Sequence, residues 1–428
     1  MKSGKRKISK KRLILIIFLI ITLMELNLSM GLGYKVHNHD FETNNMSVPS
    51  WGYNDIKISN DLAFLSIPHS FYANVFPWVN SLELWSLKNS KRPVFLDSIS
   101  FNLSFPHFSG ANLFVYNDYI FYPICFDYGS SAIAGFKIIR CNENSLQEVG
   151  SFQLNNSYWM SGDKIIVENN IAYFVATKET FSYLMPISII NLSAPFSISL
   201  YNTTGYIHSI IKDGNIIYLL KSLNYETTFI EIINVQDILN PYLVSSYPLN
   251  ISYPIKFIKK GLHFFILGRN EMSVFNLDLN STQLLLEYGE DMSFFRDLLL
   301  DKNLLYCVNR DELFIYNITE INDFRLLGNC LNRKQGYGFY HKMEKRNDYL
   351  YIIRISEKEE RFFFVFDCSN PNNPRKIYPL GYVFPDFWLY VGWFSIYYSI
   401  ILAGITTLIV VFSPLIRRRY KTKKENIK

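Results

Sequence analysis

Ile216-Ile217-Tyr218-Leu219 is one of seven short apolar and aromatic segments that recur through this 428-residue chain. The segments begin at Leu62, Tyr119, Ile171, Ile216, Leu262, Leu304 and Tyr349. The intervals between their third residues run from 42 to 57 residues, with an average of about 48. Self-similarity with a period of this length is typical of a repeat architecture.

Each repeat contains enough strand-like sequence for four strands. In the fourth repeat, an apolar stretch at 207–211 precedes the segment, and a strand-like run at 229–235 and the turn Leu239-Asn240-Pro241 follow it. Four-stranded sheets stacked radially cover one another's faces and expose only short edges. We therefore predict an all-β fold, a seven-bladed β-propeller of four-stranded blades at residues 53–384, with six or eight blades as the alternative. We expect the innermost strands to be nearly continuous apolar runs, because they pack against neighbours on both sides.

The repeats resemble the LVIVD repeat of prokaryotic surface propellers. In the fourth repeat the match lies in Ile216-Ile217-Tyr218, Ile230-Glu231-Ile232-Ile233-Asn234-Val235 and Asn240-Pro241-Tyr242-Leu243-Val244. The first and seventh repeats match through Leu84-Trp85-Ser86-Leu87, Arg92-Pro93-Val94-Phe95, Val365-Phe366-Asp367 and Asn373-Pro374-Arg375-Lys376-Ile377. Repeats 2, 5 and 6 lack the proline and depart furthest from the pattern. The resemblance implies a cell-surface or exported propeller, and it brings no catalytic residues with it.

The C-terminal region carries a membrane signal. Residues 387–416 contain no Asp, Glu, Lys, Arg or His, and a bilayer core is crossed by about 20 helical residues. Trp388 and Trp393 suit the outer interface, and the basic tail at 417–428 should stay in the cytoplasm. We predict a transmembrane helix at 387–416, and a buried core helix is the alternative.

The N-terminal region carries a second, shorter signal. Seven basic residues within 1–12 precede the apolar run 13–24, which is the layout of a secretory signal peptide. An uncleaved signal anchor within 1–33 is the alternative. Under both interpretations the polar lead-in at 34–52 and the propeller lie outside the cytoplasm, so we predict a cell-membrane protein with its propeller outside.

The net charge of the two ends of the chain differs in sign from that of the region between them. The whole chain is +6, while residues 1–12 contribute +7 and residues 417–428 contribute +6, so the remainder carries 6 − 13 = −7. Nucleic-acid binding needs a basic face on the folded domain, and we exclude it. The expected partners are the membrane lipid bilayer and an extracytoplasmic protein or glycan.

Signatures of catalysis are missing from the sequence. It contains no G-x-S-x-G, H-E-x-x-H or P-loop motif, and its seven histidines are scattered over different repeats. His37-Asn38-His39-Asp40 offers metal-ligating groups, but a solvated loop is the simpler interpretation. We expect no catalytic residue, no cofactor and no metal.

Five cysteines lie between the two apolar ends. Disulfides are permitted outside the cytoplasm, and Cys125–Cys141 and Cys307–Cys330 are the pairs nearest in sequence. Our default expectation is that the cysteines are buried and unpaired, because a free cysteine packs as a small apolar residue.

Long connections after the first three segments are the candidate binding loops. They span residues 67–80, 125–135 and 178–185, and loops on a rigid scaffold often carry binding sites. The candidate ligand-binding residues are aromatic: Phe71, Tyr72, Phe76, Trp78, Phe126 and Tyr128. Exposed aromatics suit a glycan or protein partner. The alternative is that these side chains fold back and cap the adjacent blades.

N-x-[ST] sequons occur throughout the region before the predicted span. Besides Asn27, the possible glycosylation sites are Asn45, Asn102, Asn155, Asn191, Asn202, Asn250, Asn280 and Asn317. Together these patterns favour a membrane-anchored extracytoplasmic propeller that acts as a non-catalytic recognition or scaffold module. The alternatives are an exported propeller enzyme, a hydrolase or lyase with its site at the central mouth, and a structural component of a surface assembly.

Overall fold

The computed structural model describes twelve stretches of the chain. These are residues 55–67, 78–103, 112–126, 133–154, 159–223, 227–269, 271–287, 295–309, 312–320, 324–331, 338–356 and 362–378. They contain 29 β-strands and no helix, so within them no helix is available to cross a membrane. The predicted signal segment, lead-in and transmembrane helix fall outside these stretches.

All of the described residues belong to one compact unit, residues 47–380. This unit is an all-β propeller, and its strands follow one another around seven blades. Blade 1 is built from β1 (Asp55–Ser59), β2 (Leu62–Ile67), β3 (Trp78–Ser86) and β4 (Val94–Leu103). Blade 2 is built from β5 (Phe114–Tyr116), β6 (Tyr119–Phe126), β7 (Ile133–Asn142) and β8 (Ser145–Leu154).

Blades 3 to 5 follow in chain order. Blade 3 contains β9 (Trp159–Glu168), β10 (Ile171–Lys178), β11 (Phe181–Ser188), β12 (Phe196–Ser197) and β13 (Tyr201–Thr204). Blade 4 contains β14 (Tyr206–Asp213), β15 (Ile216–Leu223), β16 (Thr227–Asn234) and β17 (Tyr242–Leu249). Blade 5 contains β18 (Lys256–Lys260), β19 (His263–Leu267), β20 (Glu271–Asn276) and β21 (Ser281–Glu287).

The last two blades complete the set. Blade 6 contains β22 (Asp297–Asp301), β23 (Leu304–Val308), β24 (Glu312–Asn317) and β25 (Arg325–Leu331). Blade 7 contains β26 (Gly338–Arg346), β27 (Tyr349–Ser356), β28 (Phe362–Asp367) and β29 (Arg375–Tyr378). Every sheet is antiparallel with its strands in chain order, except that the outer strand of blade 3 is split into β12 and β13. The prediction of seven four-stranded blades is confirmed.

One backbone hydrogen bond repeats in all seven blades. The donor is the residue directly after the third strand, or in blade 2 the last but one residue of that strand. Its N–H donates to a carbonyl in the turn between the first two strands. The donors are Leu87, Cys141, Ile189, Val235, Leu277, Ile318 and Cys368. The recurring segments of the sequence are the second strands, and this bond fixes each third strand against the hairpin formed by the first two.

A local hydrogen bond explains why the third strands end in polar residues. In five blades the side-chain oxygen of its last residue accepts a hydrogen bond from the N–H two residues further on, at 2.8–3.4 Å. These last residues are Ser86, Asn234, Asn276, Asn317 and Asp367. Such a turn satisfies a backbone donor where the strand stops, so a short oxygen-bearing side chain is favoured there.

The apolar core is divided into seven clusters, one at each junction between neighbouring blades. Between blades 2 and 3, for example, the rings of Phe136 and Phe174 lie 5.6 Å apart. Burying a large apolar side chain contributes roughly 1.5–3 kcal/mol. Because each blade buries both faces in this way, no blade has a core of its own.

Blade 7 closes the ring by packing on blade 1, and among the described strands the two blades exchange none. Ile56 and Leu65 of blade 1 share a buried cluster with Tyr351 of blade 7. Lys57 forms an ion pair with Glu344. Arg346 Nη1 also donates to the backbone carbonyl of Leu87 at 3.0 Å, so in the described chain every one of these contacts between the first and last blades involves a side chain.

Two expectations from the sequence are wrong. The inner strands are not continuous apolar runs: β18 reads Lys-Phe-Ile-Lys-Lys, and only one of its residues is buried. The continuous buried run is the second strand, as in β10, where six of eight residues are buried. A strand next to the ring axis has one neighbour fewer than the strand behind it, so part of its surface remains available to polar side chains.

The disulfide candidates are also wrong, because the register separates them. Cys125 lies opposite Ala134, which is about 23 Å along β7 from Cys141 at the usual rise per residue. Cys307 and Cys330 lie on opposite sides of β24, about 10 Å apart at the usual strand spacing, which exceeds the reach of a disulfide. Cys141, Cys307, Cys330 and Cys368 are free thiols.

Candidate functional site

The inner strands define an upper face of the ring. Asp55 at the start of β1 pairs with Ser66 near the end of β2. The inner strands therefore begin at the end of the ring from which the connections between second and third strands emerge. We call this end the upper face, and the end with the turns between first and second strands the lower face.

Charged side chains converge where the inner strands of four blades begin. They form the mouth cluster, which consists of Asp55, Lys57, Lys256, Asp297, Lys342 and Glu344. The cluster holds three carboxylates and three ammonium groups, so it is balanced in charge. Its members come from blades 1, 5, 6 and 7 and include the pair that closes the ring.

The two aspartates of the mouth cluster join adjacent blades in the same way. Asp55 Oδ2 accepts the N–H of Leu113 in blade 2, at 2.5 Å. Asp297 Oδ2 accepts the N–H of Met343 in blade 7, at 3.0 Å. Both residues are almost fully buried. Each carboxylate therefore holds the start of its own inner strand against the inner strand of the next blade, at the start of β5 for Asp55 and within β26 for Asp297.

The two aspartates differ in their charged neighbours. Burial raises the pKa of Asp55 above its ordinary value, although Lys57 and Lys342 act in the opposite direction. Burial also raises the pKa of Asp297, but the positive charges of Lys256 and Lys342 lower it by more. The pKa of Asp297 therefore lies below its ordinary value of 3.8. Lys256 Nζ donates to Asp297 Oδ1 at 2.6 Å, and this contact accounts for the difference.

These contacts limit what the mouth can do chemically. The three carboxylates of the mouth cluster are of the type that acid–base chemistry uses. Each of them, however, is engaged by a lysine or by the N–H of the next blade. Within the described stretches, no group of three or more His, Cys, Asp or Glu side chains could hold a metal ion. The cluster therefore resembles a structural joint more closely than an acid–base site.

A histidine–serine pair in blade 4 has the spacing of a nucleophile and its base. His208 Nε2 lies 2.7 Å from Ser222 Oγ. However, Ser222 is fully buried, so no substrate reaches its hydroxyl. Burial, with a smaller effect from Lys164, lowers the pKa of His208 to about 3. The neutral imidazole is consistent with a role in packing.

The predicted aromatic residues lie mostly beyond the described stretches. Phe71, Tyr72, Phe76 and Tyr128 fall outside them. Trp78 is the first residue of β3 and lies opposite Leu103. Phe126 is the last residue of β6 and lies opposite Ile133. Both backbone positions are at the upper face, and the assignment of these residues to a binding site stays a prediction.

The long third connection predicted at 178–185 is wrong. β10 and β11 are joined by the two-residue turn Glu179-Thr180, and β11 continues from Phe181. Glu179 has a positive φ of 53°. The aromatic residues of this segment, Phe181 and Tyr183, are therefore strand residues.

The structure contains an apolar surface that the sequence analysis missed. Among the described residues, seven of the 14 exposed large apolar side chains lie on the outer, lower part of blades 3 and 4. We call this set the blade 3–4 rim; its members are Ile190, Phe196, Leu200, Leu239, Tyr242, Leu243 and Val244. They are 45 to 82% exposed. Contiguous apolar patches of this kind on soluble domains mark interaction sites.

The break in the outer strand of blade 3 brings the two halves of the rim together. Between β12 and β13 the chain leaves the sheet, and Ser199 Oγ donates to the Ile238 carbonyl of blade 4 at 2.5 Å. Leu200 and Leu239 follow these two residues directly in sequence. This hydrogen bond brings the blade 3 part of the rim next to the blade 4 part.

A buried ion pair ties β13 of blade 3 to blade 4, nearer the upper face than the rim. Lys221 and Glu231 of blade 4 form an ion pair, with side chains only 6% exposed. Lys221 Nζ also donates to Thr203 Oγ1 of β13 at 2.7 Å and to the Thr204 carbonyl at 3.0 Å. A charge in this position is strongly held because its partners replace water. The split outer strand of blade 3 is thereby anchored to blade 4.

The absence of charge is the signal by which the sequence could have revealed the rim. Residues 180–211 and 238–255 contain no Asp, Glu, Lys or Arg, although 19% of the chain is charged. Depletion of charge is characteristic of the centre of protein interfaces. The individual strands in these ranges look ordinary, and only the long uncharged runs set them apart.

A groove of about 540 Å³ lies on the lower face beside blades 5 and 6. Its lysine is already engaged: Lys260 Nζ donates to Asn303 Oδ1 at 2.7 Å and to the Ile318 carbonyl at 3.1 Å, which joins blade 5 to blade 6. Within blade 5, His263 Nε2 lies 3.0 Å from Asn276 Nδ2. We assign no ligand to the groove.

The possible glycosylation sites are mainly on the surface where they are described. Asn191, Asn202, Asn250 and Asn280 are exposed, and Asn317 is half-buried. Asn102 is a β4 residue, and Asn45 and Asn155 lie outside the described stretches. Asn191 and Asn202 lie close in sequence to members of the blade 3–4 rim, so a glycan there would compete with a protein partner.

Comparisons with known proteins identify the fold and no family. No family model matches the chain, and no curated protein matches its sequence. The fold matches 617 solved chains. One is a Bacteroides uniformis protein, provisionally described as a 6-phosphogluconolactonase, with 11% identity and a TM-score of 0.54 over 74% of this chain and 96% of that one. Another is Kluyveromyces lactis Hsv2, with 11% identity and a TM-score of 0.47 over 74% and 93%.

At this level of identity, the comparisons establish the propeller fold alone. The resemblance to the LVIVD repeat stays a prediction, because no family model bears on it.

Asp297→Asn and Asp55→Asn are a matched pair that tests the mouth cluster. Asp297→Asn leaves Lys256 without its carboxylate, and we expect a loss of about 3 kcal/mol in the free energy of unfolding at pH 7. Asp55→Asn keeps an oxygen for the N–H of Leu113 and removes a carboxyl whose ionisation burial opposes, so we expect a change below about 1 kcal/mol. Urea denaturation measures both.

The pH dependence distinguishes the two aspartates further. The lowered pKa of Asp297 contributes stability that is present above its ordinary value of 3.8 and is lost as the pH falls through the lower folded value. The raised pKa of Asp55 favours folding at low pH, and that contribution is lost as the pH rises. Equal losses for the two variants at pH 7 would contradict the assigned roles.

Proposed function

We propose that this chain is a membrane-anchored, extracytoplasmic propeller that acts as a non-catalytic recognition or scaffold module. The observation that carries the recognition part is the exposed, uncharged blade 3–4 rim. The membrane part depends on the apolar run at 387–416 and the basic residues that follow it. The partner is a protein, because an apolar patch that is depleted of charge, with Asp237 at its edge, matches protein interfaces better than it matches glycans.

The rigidity of the rim supports this proposal. The Ser199–Ile238 hydrogen bond joins its two halves, and the Lys221–Glu231 ion pair with its contacts to Thr203 and Thr204 anchors the same two blades to each other nearer the upper face. A rigid surface loses little conformational entropy when it binds. A charge-depleted surface on a fixed base is the arrangement that a docking platform needs.

An exported enzyme with its site at the central mouth is the second candidate. The convergence of Asp55, Asp297 and Glu344 at the start of the inner strands favours it, since propeller enzymes assemble their sites from separate blades. Against it stands the engagement of each carboxylate in a contact that joins two blades. We therefore place this candidate second.

The topology is tested by limited proteolysis of intact cells that express the full chain. We expect protease added outside to cut within 53–384, because both apolar segments direct this region out of the cytoplasm. A tag on the tail after Lys428 should survive. Protection of 53–384 in intact cells, with cleavage only after lysis, would reverse the topology.

The recognition surface is tested by site-specific photo-crosslinking in the same cells. A photoreactive amino acid replaces Tyr242 in the blade 3–4 rim, and in a control chain it replaces Leu326, which is 48% exposed on the outer strand of blade 6. We expect protein adducts at Tyr242 and none at Leu326. Equal labelling from the two positions, or none from either, would contradict recognition through the rim.

A further inference from the structure

We infer that the occupant of the blade 3–4 rim is a second copy of this chain, so that two rings pair about a two-fold axis. This inference rests on the proposed scaffold role of the same surface and specifies its partner. It is carried by the area of the rim, by its lack of charge and by the charges on the other outer strands.

The area of the rim matches what a stable dimer requires. At 45 to 82% exposure, its seven residues present roughly 800 Å² of accessible surface, which is the contribution of one partner to a standard interface.

Charge complementarity selects the rim as its own partner. The outer strands of the other five blades all carry charge, through Asp97, Glu148, Glu287, Arg325 and Arg375. β12, β13 and β17 carry none. An uncharged surface binds best to another uncharged surface, because burying an unpaired charge is costly. Among the described outer strands, only those of the rim carry no charge. A two-fold axis places the rim of one copy against the rim of the other.

The contact is made by side chains rather than by strand addition. β17 has a bulge at Val244, where the pairing with β16 shifts between Ile232 and Ile233. Pro248 lies in the same strand and has no N–H to offer a further strand. These features interrupt the free edge of blade 4. The exposed rings of Phe196 and Tyr242 are the natural anchors, since aromatic residues are enriched at the centres of interfaces.

The test measures the mass of the purified full chain in a mild detergent by light scattering with detergent correction. The variant Tyr242→Lys/Val244→Lys places charges at positions that are 55% and 52% exposed. The matched control, Leu284→Lys/Leu326→Lys, changes residues that are 49% and 48% exposed on blades 5 and 6. All four positions are exposed, so thermal unfolding should be unchanged.

We expect the wild type and the control to be dimers, and the rim variant to have a dissociation constant at least about tenfold higher. Phe196→Lys, from the blade 3 half of the rim, should weaken the dimer independently. A monomeric wild type, a dimer that the rim variant leaves intact, or an N-glycan occupying Asn191 in the purified protein would overturn the inference.

The crosslinking experiment separates this inference from the proposed function. An adduct at Tyr242 with a different protein, together with a monomeric wild type, would refute self-association and leave recognition through the rim standing. An adduct with the chain itself supports both. No adduct at Tyr242, together with a monomeric wild type, would refute both.

Discussion

Every blade of this propeller depends on its neighbours for a hydrophobic core, and that dependence is the constraint from which the rest follows. The seven apolar clusters lie between blades rather than within them. A ring of such blades is stable only if the last junction is made as well. Here blade 7 meets blade 1 through Tyr351 and Ile56 and through the Lys57–Glu344 pair. Among the described residues no strand is shared across that junction, so contacts made by side chains supply its stability there.

Ring closure also accounts for the polar character of the mouth. Inner strands begin close together at the axis, where backbone N–H groups would otherwise lack partners. Asp55 and Asp297 satisfy those groups in the neighbouring blade, and lysines balance the carboxylates. A charged centre is therefore a requirement of this architecture before it is an indication of catalysis. The rim of blades 3 and 4 has no such structural role, which is why its exposed apolar residues point to a partner.

Much of the fold could be predicted from periodicity, because second strands are buried throughout and recur about every 48 residues. The polar strand ends, such as Asn234 and Asp367, were also readable, since their turn is local. The charges of the inner strands were missed, because pairing between residues such as Lys57 and Glu344, 287 positions apart, depends on closure. The rim was missed because exposure belongs to the assembled ring, and the turn at Glu179 because its positive φ has no strong sequence signal.

Hydrogen exchange at the seven repeated backbone bonds tests ring closure most directly. In a closed ring, the amides donated by the third strands of all blades should open in one cooperative event with a common free energy. The account predicts that Leu87 in blade 1 and Cys368 in blade 7 exchange as slowly as Val235 in blade 4. Exchange at Leu87 and Cys368 more than about tenfold faster than at Val235 would show the fraying expected of an open repeat array and would contradict the closed ring.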